Sequence, residues 1–383
     1  MGVNGTMTME MTMDDPVAQD NRACRGDGGE RDLASIHRPV LLDECVGLVA
    51  PALDHPGATV VDCTLGLAGH SLAFLKAAPQ ARLVGIDRDA EALGLATRRI
   101  GDEGLDGRFT PVHAPFDQFT RALDGQGVGA VDAVFMDLGL SSLQIDESDR
   151  GFAYSKDAPL DMRMDPGQDL TAAMVLNTYS MEDLRRIMRE YGEERFAQPI
   201  ARAIVRERER EPFSDSARLV DLVDRTIPRA HRASGNPAKR VFQALRIEVN
   251  GELDKLSATL PQAALRLNVG GRIVVESYHS LEDTITKRFF ASGLVSEAPA
   301  GLPVVPDDML PFFRDLTHGA VKADEREREA NPRSASVRLR AVELVRPIPE
   351  RVRRRYERTA GPSGGRHDRH ERHRTGRQGR TRS

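Results

Sequence analysis

Three aspartates in this chain each close a short apolar run: Asp62 after Thr59-Val60-Val61, Asp87 after Leu83-Val84-Gly85-Ile86, and Asp137 after Val131 to Met136. Runs of this kind suit buried parallel strands, so each carboxylate is expected at a strand's carboxyl end, where open parallel sheets bind ligands. Between Asp62 and His70 the chain reads Asp-Cys-Thr-Leu-Gly-Leu-Ala-Gly-His, and Ser71 to Ala78 then has helical spacing. That is a strand-to-helix turn. Gly66 and Gly69 allow a tight backbone, and the helix N-terminus beyond them presents unpaired N–H groups to an anionic ligand group.

Asp87 follows Asp62 at the spacing where nucleoside-binding α/β units place an acid on ribose hydroxyls. The glycines do not spell Gly-x-Gly-x-x-Gly, so no pyrophosphate cradle is indicated. A ligand with ribose, a carboxylate and a positive charge matches better, and S-adenosylmethionine is such a ligand. Phe116, just after a third strand at about 109–113, is placed to flank an adenine ring.

The elements that must carry these residues alternate as strand and helix up to the fourth strand, Val131 to Asp137. The next strand, Gly271 to Glu276, begins more than a hundred residues later, whereas a crossover needs a few dozen at most. Amphipathic helices fill the gap, starting near Ser180, Pro199 and Ser216, and a long one runs from Asn236-Pro237 through Leu256. The fold class is α/β, with a small α-helical domain inserted at about 155–235 between sheet segments at 33–154 and 236–346. Ser336 to Val345 alternates as a late edge strand, and Ser280 with Asp283 reads as a capping box.

The net charge of −4 conceals an asymmetry. From Arg351 to Ser383 there are twelve arginines against three acids. The stretch 347–383 is therefore expected to be a disordered basic tail suited to RNA phosphates, and 1–32 a disordered acidic one. Three scattered cysteines, Cys24, Cys45 and Cys63, argue against a disulfide framework or zinc site and suit a reducing cytoplasm. No apolar run reaches membrane-spanning length.

Taken in order, His37-Arg38-Pro39-Val40-Leu41-Leu42, Asp62 to His70, Asp137-Leu138-Gly139-Leu140-Ser141-Ser142, Arg150-Gly151-Phe152 and Pro159 to Asp165 form a specific pattern. Tyr191 to Ala197, Phe242 to Ile247 and His279 to Asp283 continue it. Over residues 36 to 345 the chain resembles the bacterial 16S ribosomal RNA (cytosine-N4)-methyltransferases. The resemblance implies a Rossmann-like methyltransferase sheet and an S-adenosylmethionine site at Ala68, Gly69, His70, Asp87, Phe116, Asp137 and Gln144. Ala68 departs from the glycine common in the family. The partner implied is 16S rRNA in the small ribosomal subunit, with no membrane and no metal, and a homodimer is left open.

For such a reaction Asp137, or the backbone after it, is the acceptor for the cytosine N4–H, with Ser141 and Ser142 shaping the pocket. Asp161, Arg163 and Asp165 read either as a loop near substrate or as an ion-paired structural loop. His279 reads either as a substrate contact or as a structural turn residue. Lys239, Arg240 and Arg246 are candidates for phosphate contacts. Two rivals stand beside this reading. A DNA cytosine-N4 methyltransferase would be expected to show an Asp or Ser-Pro-Pro-aromatic tetrapeptide where Asp137-Leu138-Gly139-Leu140 stands, and an RNA-binding assembly factor would bind without turnover.

Overall fold

The computed structural model describes residues 39–141, 144, 150–152, 157–231, 236–299 and 304–360. Helix α1 (Leu42–Val49) leads to β1 (Thr59–Asp62), α2 (Gly69–Ala77), β2 (Arg82–Asp87), α3 (Ala90–Asp102), β3 (Phe109–His113), α4 (Phe119–Gly125) and β4 (Val131–Asp137). Val60, Val61, Leu83, Val84, Val134 and Phe135 are buried, as the apolar runs require. The described strands form a seven-stranded sheet in the order β3-β2-β1-β4-β5-β7-β6. Strands β1 to β5 are parallel, so successive acids fall at one edge, and the direction of winding reverses between β1 and β4. That reversal opens a crevice at the carboxyl ends.

The long gap holds α5 (Ala172–Thr178), α6 (Met181–Glu190), α7 (Ala197–Arg208), α8 (Ser216–Thr226) and α9 (Lys239–Asn250). Ser180 caps α6 by accepting from the Asp183 N–H, and Asp215 caps α8 from Arg218, so side-chain oxygens satisfy their first turns. The apolar faces of these helices, with Phe152, Leu160, Met162 and Met164, form a core separate from the two that cover the sheet. The expected single helix from Asn236 to Leu256 is two. Gly251, in the left-handed conformation (φ 60°, ψ 31°), ends α9 and begins α10 (Glu252–Arg266). Val241, Phe242, Leu245 and Val249 of α9 pack in the inserted core, whereas Leu256 and Leu260 of α10 pack under the sheet. Helix α9 thus shares the core of the inserted helices, and α10 that of the sheet.

Beyond β5 (Leu267–Ser277) come α11 (Ser280–Leu294), β6 (Phe313–Asp315), α12 (Glu325–Ala330), β7 (Arg338–Leu344) and α13 (Glu350–Thr359). The cap of α11 is one residue earlier than expected: His279 accepts from the Glu282 N–H and Glu282 returns to the His279 N–H. Nor is β7 an edge strand. It pairs antiparallel with both β5 and β6, and β6, three residues long, forms the edge. A strand that short carries no periodicity to read.

The basic stretch after 346 is likewise not all tail. Val352 and Tyr356, four apart on α13, are buried, and Tyr356 lies 5.2 Å ring to ring from Phe289 with its hydroxyl 3.0 Å from Ser292 Oγ. The many arginines masked this apolar pair; Arg351 and Arg355 instead pair with Glu297 on the exposed side. The remaining tail, 361–383, and the 1–32 segment lie outside the described residues. Tyr356→Ala in the full chain should cost about 3 kcal/mol in unfolding by urea, the usual cost of emptying a buried aromatic site.

Candidate functional site

The β1–α2 turn is built around Asp62. Its carboxylate is buried and accepts from Ser71 Oγ (2.7 Å), the Thr64 N–H (3.0 Å) and the Thr64 hydroxyl (3.4 Å). The Asp137 N–H in turn donates to Thr64 Oγ1 at 2.6 Å, so one buried anion ties the tip of β1, the start of α2 and the tip of β4 together. The expectation that Asp62, Asp87 and Asp137 line one cleft is corrected here: Asp62 lies beneath the floor, turned inward, while Asp87 and Asp137 line the cavity. A short acid before a turn finds more backbone donors inside than ligand atoms outside.

Asp87 is held open. Its Oδ2 accepts from the Gly66 N–H (2.8 Å) and its Oδ1 from the Asp89 N–H (2.9 Å), which leaves lone pairs for further donors. Burial pushes its carboxyl above the usual range, against the pull of those two N–H groups. Gly66 has φ 51°, as its turning role requires. Packing also demands glycine at position 69, where a Cβ would lie 2.6 Å from Pro39 Cγ. Ala68 stands in the left-handed region (φ 60°, ψ 28°), where an L side chain is strained, and the first bond within α2 runs from the Leu72 N–H to the Ala68 carbonyl. The N–H groups of Gly69 and His70 precede it, at the positive end of a nine-residue helix.

The imidazole of His70 serves as a wall. Its ring is buried 4.7 Å from that of Phe135, its Nε2 is 2.9 Å from the Val40 carbonyl, and its Nδ1 is 3.8 Å from Asp137 Oδ2. Burial lowers its proton affinity below that of free histidine. Asp137 keeps 31% of its side chain exposed and accepts from the Tyr278 hydroxyl at 2.8 Å. Phe116, in a short 3₁₀ turn after β3, lines the cavity. Gln144 also lines it, but its amide is engaged: Oε1 accepts from the Ser141 N–H (3.2 Å) and Nε2 donates to Asp89 (3.3 Å). The Ser141 hydroxyl accepts from the Gln144 N–H, and Ser142 lies outside the described residues.

Together these groups border a cavity of about 360 Å³, within the range of small-molecule sites. Sequence reasoning missed several members of its wall. Tyr278 follows a strand whose end had been read for a histidine, and Arg88, Glu252 and Glu282 carry no local pattern. Asp89, also unforeseen, caps α3 and anchors Gln144 and Arg150 (2.6 Å) behind the wall; an aspartate just before a helix was its only signal. Arg246, expected on phosphates, lines the cavity in a two-bond pair with Glu252 (2.9 and 2.9 Å). Arg163 is spent on Asp161 and the carbonyls of Pro166 and Gln168, so the 161–168 segment is an ion-paired loop, and Met164 within it lines the cavity. His279 is a capping residue.

Two sets of metal-capable side chains meet among the described residues, Cys45 with His70 and Glu276, and Glu252 with His279 and Glu282. In the first the near nitrogen of His70 faces the Val40 carbonyl. In the second Glu252 is taken by Arg246, and Glu282 by the N–H groups of Tyr278 and His279.

Residues 34–345 match the model of the MraW methylase family. The chain belongs to that family. Ribosomal RNA small subunit methyltransferase H of Bifidobacterium longum is 69% identical over 86% of this chain and 92% of its own length, and that of Streptomyces avermitilis is 55% identical over 82% and 98%. Among solved structures, an rRNA methylase from Streptococcus thermophilus aligns over 80% of this chain and 94% of its own at a TM-score of 0.34 and 12% identity, too remote to add to the fold described above. The sheet is thus a Rossmann-like methyltransferase sheet, and the expected family stands.

Burial pushes Asp62 up to about 6, with its hydrogen bonds pulling the other way. A carboxyl raised in the fold favours its neutral form there, so its contribution to stability is complete below about pH 4 and is lost as pH rises through 6. Asp62→Asn, whose amide can donate to Ser71 and accept from Thr64, should flatten the unfolding free energy across pH 4–6 by about 3 kcal/mol. An unchanged slope would count against this account.

Proposed function

We propose that the protein transfers a methyl group from S-adenosylmethionine to the exocyclic N4 of a cytidine in the decoding region of 16S rRNA. The observation that carries the reading is the opening of the Asp87 and Asp137 carboxylates into one cavity, beside the N–H groups that begin α2, at the point where the sheet reverses direction. The names of the relatives, all small-subunit rRNA methyltransferases, support the substrate class.

The groups present fit the donor. Asp87 has lone pairs free for two ribose hydroxyls, the N–H groups of Gly69 and His70 suit its carboxylate, and Phe116 provides an apolar face for adenine. S-adenosylmethionine supplies an electrophilic methyl group on a sulfonium. The cytosine amine is a poor nucleophile because its lone pair is delocalised into the ring, so an acceptor that holds N4–H orients the nitrogen and raises its electron density. Asp137 is that acceptor: as the new N–C bond forms and the S–C bond breaks, the surplus N4 proton passes to its carboxylate. No covalent intermediate is needed. Ser141 and the loop after Asp137 shape the base pocket, and a flipped-out base is the only form of the substrate that reaches it.

Lys239 and Arg240 begin α9 on the exposed surface of the inserted domain and are candidates for RNA phosphates, a role from which Arg246 is withdrawn. The test is incubation of the protein with labelled S-adenosylmethionine and small subunits lacking the modification, followed by mass spectrometry of the RNA. Label on cytidine N4 is expected; donor binding with no labelled nucleotide would favour an assembly factor. In the same assay Asp87→Ala should weaken donor affinity by roughly 10-fold to 100-fold, the loss expected for hydrogen bonds to a charged group.

A further inference from the structure

Glu276, the next-to-last residue of β5, is a buried acid that the proposed reaction leaves without a role. It stands directly opposite Asp137 in the parallel pairing of β4 with β5, and the two carboxyl groups are in hydrogen-bond contact. Glu276 has no exposed surface, whereas Asp137 keeps 31% of its side chain exposed. Like charges opposed on neighbouring strands repel, and a site closed to water does little to screen them. One of the two carboxyls therefore keeps a proton.

The surroundings assign that proton to Glu276. Among the described residues no N–H or O–H group donates to either of its oxygens, and the Cys45 thiol that reaches it from α1 is a weak donor. His70 Nε2 lies 3.6 Å from Glu276 Oε2 but 2.9 Å from the Val40 carbonyl, which can only accept, so the ring hydrogen points there, and burial keeps the ring neutral. Asp137, by contrast, accepts from the Tyr278 hydroxyl at 2.8 Å. Burial, and after it the Asp137 charge, push the Glu276 carboxyl well above the usual carboxylate range. We infer that Glu276 is a positioning residue for methyl transfer: its carboxylic acid donates a hydrogen bond to the Asp137 carboxylate and so holds the acceptor of the substrate amine ionised and in place. The inference rests on the function proposed above, and it adds a residue that does not itself line the cavity.

The titratable groups around the pair are Glu44 and Cys45 of α1, Asp62 at the end of β1, His70 of α2 and Tyr278, while β7 sets Leu339 opposite Glu276. All of these stay in place when Glu276 alone is changed, so the sign of one shift decides the matter. E276M removes the donor at similar volume; the charged form of Asp137 loses a hydrogen bond, and the acid limb of kcat/KM with small subunits should move up by about one pH unit, with kcat lowered about tenfold. E276Q, whose amide still donates, should keep the wild-type limb. KM for S-adenosylmethionine should stay within about threefold in both, because the donor's own contacts are untouched. An ionised Glu276 predicts the opposite: both substitutions would remove a negative charge beside Asp137, and the limb would move down.

The same pattern should appear in the carboxyl ¹³C titration of Asp137 in the free protein, and infrared spectra near neutral pH should show an un-ionised carboxylic acid in wild type that E276Q lacks. Those readouts need no substrate, so they test the hydrogen bond even if the wild-type protein methylates nothing, an outcome that would instead sink the proposed function. Should E276M not fold, E276Q and the infrared band decide alone. A downward shift in either variant, an unmoved limb in folded E276M, or a wild-type spectrum without the acid would overturn the inference.

Discussion

A single buried carboxylate holds the site in register. Asp62 gathers Ser71, the Thr64 amide and the Thr64 hydroxyl, and Thr64 accepts in turn from the Asp137 N–H, so the first turn of α2 and the tip of β4 are fixed to the same anion. Burying that charge is costly, as the upward push on its proton affinity records. Three donors offset much of the cost, and the result is a rigid turn on which Asp87 and Asp137 can be aimed with little freedom. Preorganisation of this kind is what a reaction with a weak nucleophile requires.

The second constraint comes from the inserted helices. Asn250, the last residue of α9, accepts from the Met164 N–H and donates to the Met162 carbonyl, while Arg88 from the end of β2 reaches the Asn250 carbonyl. Glu193 of the insertion accepts from the Ser280 hydroxyl at 2.6 Å. The inserted helices therefore meet the rest of the fold at Arg88, just past β2, and at Ser280, at the start of α11. The Arg246–Glu252 pair spans the Gly251 junction and forms part of the wall, which gives the insertion a direct place in shaping what enters.

Much of this was legible in the chain. Apolar runs ending in Asp62, Asp87 and Asp137 fixed three strands and the edge at which they end, and the long gap before β5 announced an insertion. Three features were hidden for physical reasons. Whether a strand-tip acid faces ligand or backbone depends on donors such as Ser71 and Thr64 that only the folded turn brings to it, so Asp62 was misplaced. The helix break at Gly251 sits inside an unbroken apolar periodicity, and glycine alone did not outweigh it. Tyr278 meets Asp137 through strand pairing between residues 141 positions apart, a contact no local spacing encodes.

The most direct test is a crystal structure of the protein with S-adenosylmethionine and cytidine bound. The account predicts ribose hydroxyls on Asp87, the methionine carboxylate at the Gly69 and His70 N–H groups, and the cytosine N4 between the donor methyl and Asp137 Oδ2. A donor seated away from Asp87, or a cytosine amine that meets Asp137 nowhere, would contradict it.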